Sequence, residues 1–198
     1  MKLSELAEIR SGFVLTRFRR SEGEPPVASC RLLTLSAISD ADAAIVLTAI
    51  EHFDTKSPLS AEHLTRTGDI VLRLTAPYTA VLIGDEESGL AVPSTFIIIR
   101  VRDERADPAF LAWMLNRPQL RRDIERNTWT SVLKAVNVQY FNDLEIQLPP
   151  LAQQRQIAAV DRLARKEAQL LRQLADAKSA LANALLEQNY QIQPKRGK

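Results

Sequence analysis

A chain of 198 residues, 45% hydrophobic and 25% charged, has room for one ordinary globular domain plus an extra element, which excludes a disordered or fibrous class. The net charge of +2 hides an asymmetry: residues 1–150 hold 17 Lys and Arg against 20 Asp and Glu, and residues 151–198 hold 9 against 4. A polyanion would therefore have to meet a local basic patch on the body and not its overall charge.

The single cysteine, Cys30, excludes an internal disulfide framework and fits a reducing, cytoplasmic compartment. No stretch has the length of a signal peptide's apolar run or the ~18 apolar residues of a membrane span. Residues 1–9 carry apolar positions at Leu3, Leu6, Ala7 and Ile9, which predicts a short helix ending near Gly12.

Next comes FVLTRFRRSEGEPP, where Arg17, Arg19 and Arg20 crowd beside Phe13 and Phe18 before Gly23, Pro25 and Pro26 break regular structure. Such a loop can meet phosphates and base edges, or it can be a solvated cluster neutralised by Glu22 and Glu24. Residues 31–38 and 45–53 are strand candidates. His52 and His63 lack companions at ligand spacing, so no metal site is expected.

In LTRTGDIVLRLT, Thr67 and Gly68 form a turn and Asp69 leads into a strand with Ile70, Leu72 and Leu74 on one face. A partner strand is expected at 79–84. The joining APYT puts Tyr78 and Thr79 at a turn near Arg73, which is either a ligand-facing edge or plain hairpin chemistry.

The most apolar strand is 91–101, with Phe96 to Ile99 expected to be buried on both faces at mid-sheet. Asp107 caps and Pro108 opens a helix through Asn116, and Pro118 opens a second, with Leu120 and Ile124 inward. The joining segment 127–142 mixes hydroxyl and basic residues, of which Asn127, Thr128, Thr130, Ser131 and Lys134 are suited to phosphates. In the same segment Val136, Val138, Tyr140 and Phe141 are assigned to the core.

Leu144, Ile146 and Leu148 alternate with polar residues as in a strand that Pro149 and Pro150 terminate. From Leu151 to Gln188 there is neither Gly nor Pro, which predicts one helix roughly 55 Å long at ~1.5 Å per residue. Its apolar positions, among them Ile157, Val160, Ala164, Leu171, Leu174, Leu181 and Leu185, recur by threes and fours. A stripe longer than its own domain asks for a second long helix, while Glu167 interrupts the seam and Lys178 borders it. The other reading of the stripe is a helix folded back on its own body.

No glycine-rich phosphate loop, GxSxG elbow, HExxH or spaced cysteines occur, so the pattern points to a binding or scaffolding protein and not an enzyme. Leu148, Pro149, Pro150, Leu151, Gln154 and Ile157 match a Leu-Pro-Pro-Leu-x-x-Gln-x-x-Ile box. With KLSELAEIRSG at the start, GDIVL at 68–72 and DPAFLAWMLN at 107–116, the chain resembles the specificity (S) subunits of type I restriction-modification enzymes.

The resemblance implies an α+β fold. Residues 1–148 would be a DNA target-recognition domain with mixed β-sheet and short helices. Residues 149–190 would be a long helix for dimerisation and methyltransferase docking, and 191–198 a basic disordered tail. A usual S subunit holds two such domains and two helices, so this chain looks like a half-subunit whose copies pair their helices as an antiparallel coiled coil. Ser131 and Lys134 keep the family's serine-to-lysine spacing, although the glycine that commonly precedes them is missing.

The resemblance further implies that the chain performs no chemistry and holds no cofactor. S-adenosylmethionine would belong to a partner methyltransferase (M) subunit, with a restriction (R) subunit as a further partner. Double-stranded DNA would be met by Arg17, Arg19, Arg20, Arg73, Tyr78, Thr79, Asn127, Thr130, Ser131 and Lys134. The alternative is a non-enzymatic coiled-coil protein, derived from a recognition domain, that binds a protein instead of DNA.

Overall fold

The computed structural model describes residues 1–21, 23–128 and 136–191. Two compact units are distinguished, Met1–Ala158 and Ala159–Lys198. The first is built on a four-stranded antiparallel sheet. In it β1 (Ala7–Ser11) pairs with β9 (Phe96–Val101), β9 with β6 (Ile70–Arg73), and β6 with β7 (Ala80–Leu82).

Beside it lie a three-stranded sheet of β5 (Glu51–Thr55), β2 (Ala28–Leu32) and β8 (Leu90–Ala91), and a two-stranded hairpin of β3 (Ile38–Ser39) and β4 (Ala44–Ile45). Both faces of the larger sheet are covered. Ile70, Leu72, Ile97 and Ile99 point into one core with Leu3, Leu6, Phe110, Leu111, Leu115, Ile124 and Phe141. Val71, Phe96 and Ile98 point into a second with Leu33, Ile45, Ile83, Leu90 and Val92. This double burial is why β9 reads as an unbroken apolar run, since alternation appears only when one face of a strand meets water.

The first core is closed by α1 (Leu3–Leu6), α3 (Pro108–Leu115), α4 (Pro118–Thr128) and α5 (Val138–Asn142). Asp107 caps α3 through its carboxylate, which accepts from the Phe110 N–H at 3.0 Å, and Pro108 occupies the first turn. Both helix starts expected at prolines are in place.

Several boundaries differ from the sequence expectation, each for a physical reason. The helix expected over residues 1–9 is one turn, because Ala7 and Ile9 join the ladder of β9, with Ile9 opposite Ile99. The strands expected at 31–38 and 45–53 are each broken by a 3-10 turn, Leu35–Ala37 and Leu47–Ala49, where the chain crosses from one sheet to the next. In 136–142 the residues Val138–Asn142 form α5, capped by Asn137 and with Phe141 fully buried.

The strand expected over 144–148 is a single antiparallel bridge, Lys2 to Glu145. It is flanked by hydrogen bonds from Leu3 N to Leu144 O (2.9 Å) and from Ile146 N to Met1 O (2.8 Å). The ladder stops at Lys2 because α1 begins at Leu3 and turns away. Lys2 also reaches Asp143 at 2.7 Å and holds that carboxyl below its ordinary range, the Lys2 hydrogen bond being the largest cause.

After Pro149 and Pro150, α6 runs from Leu151 to Gln191. Its opening belongs to the first unit, where Ile157 and Ala158 pack against the first core. Gln154, 1% exposed, makes three hydrogen bonds there at 2.8 Å each: its Nε2 donates to Arg105 O and Pro149 O, and its Oε1 accepts from Asp107 N. In the second unit Val160, Leu171, Leu174, Leu181 and Leu185 are 50 to 67% exposed. Among the described residues no helix is long and apolar enough to cross a membrane.

Candidate nucleic-acid interface

Chain reversal after β1 delivers the first basic group. Phe13, 2% exposed, packs edge-on against Phe18 at 5.4 Å and near Phe53 at 6.2 Å, which anchors the single turn α2 (Leu15–Phe18) to the smaller sheet. The backbone of Arg19 bridges to Thr55, and Lys56 N donates to Phe18 O at 3.0 Å. The arginine loop is therefore laid along the end of β5 and fixed by its backbone.

Arg17 and Arg19 are exposed and have no side-chain partner among the described residues. Arg20 donates to Glu24 O at 2.7 Å and lies 3.6 Å from Asp54. Asp54 also accepts from Ser29 at 2.6 Å and sits 3.2 Å from His52. These contacts hold its carboxyl below the ordinary range, with Ser29 the first cause and His52 and Arg20 after it.

Arg20 and His52 thus share one engaged carboxylate, and the backbone pairing of the α2 loop with the end of β5 brings Arg17, Arg19 and Lys56 into the same stretch of surface. Sequence reasoning missed His52 and Lys56 because they reach the cluster through the pairing of β5 with β2 and with the α2 loop, contacts between residues 19 to 36 positions apart in the chain. Other carboxylates are engaged elsewhere: Glu8 with Arg10 and Arg102, Asp69 with Arg100 at 2.7 Å, and Asp103 with Arg105 at 2.6 Å. Hydrogen bonds from Arg105 bring the Asp103 carboxyl down to about 2.

The second group lies at the turn between β6 and β7. Arg73, Tyr78 and Thr79 are brought together as expected, but the turn faces inward: Tyr78 is 4% exposed and Thr79 is fully buried. The Ala76–Pro77 peptide is cis and Tyr78 has a φ of 57°. Thr79 Oγ1 donates to Asp40 at 2.5 Å, Arg73 Nε donates to Thr75 at 3.0 Å, and Arg73 Nη1 lies 3.7 Å from Asp40.

From α3 and α4 come Asn116 and Arg121, joined at 2.6 Å, and Arg121 Nη2 stands 3.5 Å from Thr79 Oγ1. Asn116 also pairs with the Ala80 backbone in both directions, at 3.0 and 2.7 Å. Hydrogen bonding makes this cluster the support of the turn. Tyr78 and Thr79 hold it, while Arg73 keeps some exposure.

Arginines on α4 are a further feature the sequence reading passed over. Arg122 and Arg126 are exposed, and Arg117 stacks over the Trp113 ring at 5.5 Å. The signal was present as a repeat of arginine at helical spacing in RPQLRRDIER. Asn127 is exposed at the end of this helix and donates to Asp123 O at 2.8 Å. Thr130, Ser131 and Lys134 lie outside the described residues, as does the tail from 192 onward.

Of the seven helix positions singled out for pairing, Ile157 is half-buried against the body's own core, whereas Val160, Ala164, Leu171, Leu174, Leu181 and Leu185 are exposed. No group of three or more His, Cys, Asp or Glu among the described residues is placed to hold a metal ion.

No family model matches the sequence, and no curated protein matches it by sequence. Solved structures do match. A structure from work on complex assembly and conformational transition of a type I R-M system covers the whole chain at a TM-score of 0.69 and 21% identity. The HsdS subunit of Thermoanaerobacter tengcongensis covers it fully at 0.63 and 22%, and the type I restriction-modification S subunit of M. genitalium covers 94% at 0.55 and 13%. The chain spans 50%, 50% and 44% of those three chains. It therefore has the fold of one half of a type I restriction-modification S subunit, in which mixed sheets and short helices precede one long helix.

Proposed function

We propose that this chain acts as one half of a specificity subunit of a type I restriction-modification system. It is non-catalytic, reads DNA with its body, and works as a homodimer joined through α6. The observation that carries this reading is the match of the whole chain to half of an HsdS subunit, together with a long helix on which Val160 and the leucines from 163 to 185 are exposed. An M subunit would dock on the paired helices and supply S-adenosylmethionine-dependent adenine methylation, and an R subunit would supply cleavage.

Arg17, Arg19 and Arg20, with Lys56 and His52 beside them, form the first contact surface, and Arg73 with the α4 arginines forms a second. Tyr78 and Thr79, being buried, position the turn and leave the set of direct contacts. Asn127, Thr130, Ser131 and Lys134 remain with the proposed phosphate contacts.

Two measurements test the reading. Light scattering on the purified chain should give about 44 kDa, twice the 22.2 kDa chain. Binding to target DNA in complex with the M subunit should fall steeply between 50 and 200 mM salt. Arg17→Ala or Arg19→Ala should cost ~1–3 kcal/mol on the target if the residue reads a base, whereas Lys56→Ala should weaken all sequences alike. Equal weakening on every sequence for each arginine would remove them from base reading. The acidic excess of residues 1–150 favours one second reading, a protein-binding coiled-coil relative, which salt-insensitive binding and an absence of DNA affinity would support.

A further inference from the structure

Homodimerisation leaves open how two copies of α6 align, and the seam itself carries the information. Residues 160, 164, 167, 171, 174, 178, 181 and 185 alternate steps of four and three, an unbroken heptad seam in the second unit. In heptad terms the a positions are Ala164, Leu171, Lys178 and Leu185. The d positions are Val160, Glu167, Leu174 and Leu181. All are exposed, and the side chains of Glu167 and Lys178 have no partner among the described residues.

In an antiparallel pair each a position faces a d position of the other helix, and in a parallel pair like faces like. Antiparallel pairing of α6 with a second copy is what the family resemblance implies; we propose that this pair takes one register, centred between Arg172 and Gln173, which the charged seam residues Glu167 and Lys178 select. This deepens the half-subunit reading and rests on it. In that register all four a positions meet d positions at once. Leu171 faces Leu174, Ala164 faces Leu181, and Leu185 faces Val160.

The two charged seam residues then meet each other, Glu167 of each copy against Lys178 of the other, twice by symmetry. Sliding by one heptad sets Lys178 against Leu174 or Val160 and Glu167 against Leu185 or Leu171, stranding all four charges on apolar partners. A parallel pair would set Glu167 against Glu167 and Lys178 against Lys178. The flanking positions agree in size, since Leu163 and Leu170 fall opposite Ala184 and Ala177. The polar layer thus selects one orientation and one register at some cost in stability.

The test is charge reversal in the full chain, read by sedimentation equilibrium over a concentration series, with far-UV circular dichroism to confirm the fold. Lys178→Glu and Glu167→Lys should each raise the dimer dissociation constant about tenfold or more, because two like-charge contacts replace two ion pairs. The double variant Glu167→Lys/Lys178→Glu should return to the wild-type value. In a parallel pair both single variants would behave like the wild type. Single variants that leave the dissociation constant unchanged, or a double variant that fails to rescue, would overturn this register while the wild-type dimer kept the half-subunit reading intact. A folded wild-type chain that stays monomeric at all concentrations would overturn that reading, and the register with it.

Discussion

Gly12→Ala should lower the melting temperature of the body by about 10 °C or more, or prevent folding. A Cβ at Gly12 would stand 2.2 Å from Pro93 O and 2.3 Å from Val92 O. Both are backbone atoms and cannot rotate aside. The approach is locked by hydrogen bonds from Gly12 N to Phe96 O (3.1 Å), Phe13 N to Val92 O (2.9 Å) and Ser94 N to Phe13 O (2.8 Å). Making room means parting β1 from the segment between β8 and β9, which strains packing and loosens those bonds.

Overpacking of this kind costs ~1–3 kcal/mol and each of the three loosened bonds about 1 more, for a total of ~4–6 kcal/mol. At ~2–4 °C per kcal/mol for a domain of this size the shift is about 10 °C or more. The same motion would release Phe13, which anchors the arginine loop, so the DNA affinity proposed for that loop should fall with stability. Gly68 is the control: it has a φ of 86° with nothing near its Cβ, so Gly68→Ala should cost only ~1–2 kcal/mol of backbone strain. Thermal melts of the two variants compare the effects, and a Gly12→Ala melt within 2–3 °C of wild type would contradict the close approach.

Legibility in the sequence followed locality. Asp107 and Pro108, Thr67 with Gly68, and the uninterrupted run from Leu151 are decided by neighbours, so their caps, turn and helix appear where the residues place them. Phe96 to Ile99 could be assigned to mid-sheet because four consecutive apolar residues need burial on both faces. What failed depended on partners far along the chain. Ala7 to Ser11 reads as helix until β9 is set beside it, and the choice for Tyr78 between a ligand-facing edge and plain hairpin chemistry turns on the contacts that α3 and α4 make with the turn. The basic patch was half legible: Arg17, Arg19 and Arg20 stand together in sequence, whereas His52 and Lys56 reach them only through the course of β5.

Gln154→Ala should detach the opening turns of α6 from the body, with an expected loss of ~3 kcal/mol. The side chain is 1% exposed and satisfies three backbone groups, Arg105 O, Asp107 N and Pro149 O. Each would be left without its partner, at ~1 kcal/mol or more where water reaches in poorly. Two stretches that lie far apart in the sequence, the Leu-Pro-Pro-Leu box and the Asp-Pro helix start, are thereby one joint. Gln154 from the first bonds the backbone of Asp107 in the second, whose carboxylate in turn caps α3.

Hydrogen exchange is the direct readout. Protection at residues 151–158 should drop in Gln154→Ala, while protection at 170–185, which lies in the second unit, should hold if α6 pairs as proposed. Gln154→Glu sharpens the test, because a carboxylate keeps an acceptor for Asp107 N–H but turns a charged oxygen toward two carbonyls. Its pKa in the folded state would be raised above the unfolded value of ~4.3. The variant should therefore be most stable below that pH and lose stability as pH rises through the folded pKa, opposite in sign to a salt-bridged carboxylate. A melting temperature of Gln154→Glu that does not fall between pH 4 and pH 8, with wild type as reference, would mean that Gln154 does not donate to those carbonyls and that the joint is held by Ile157 and the prolines alone.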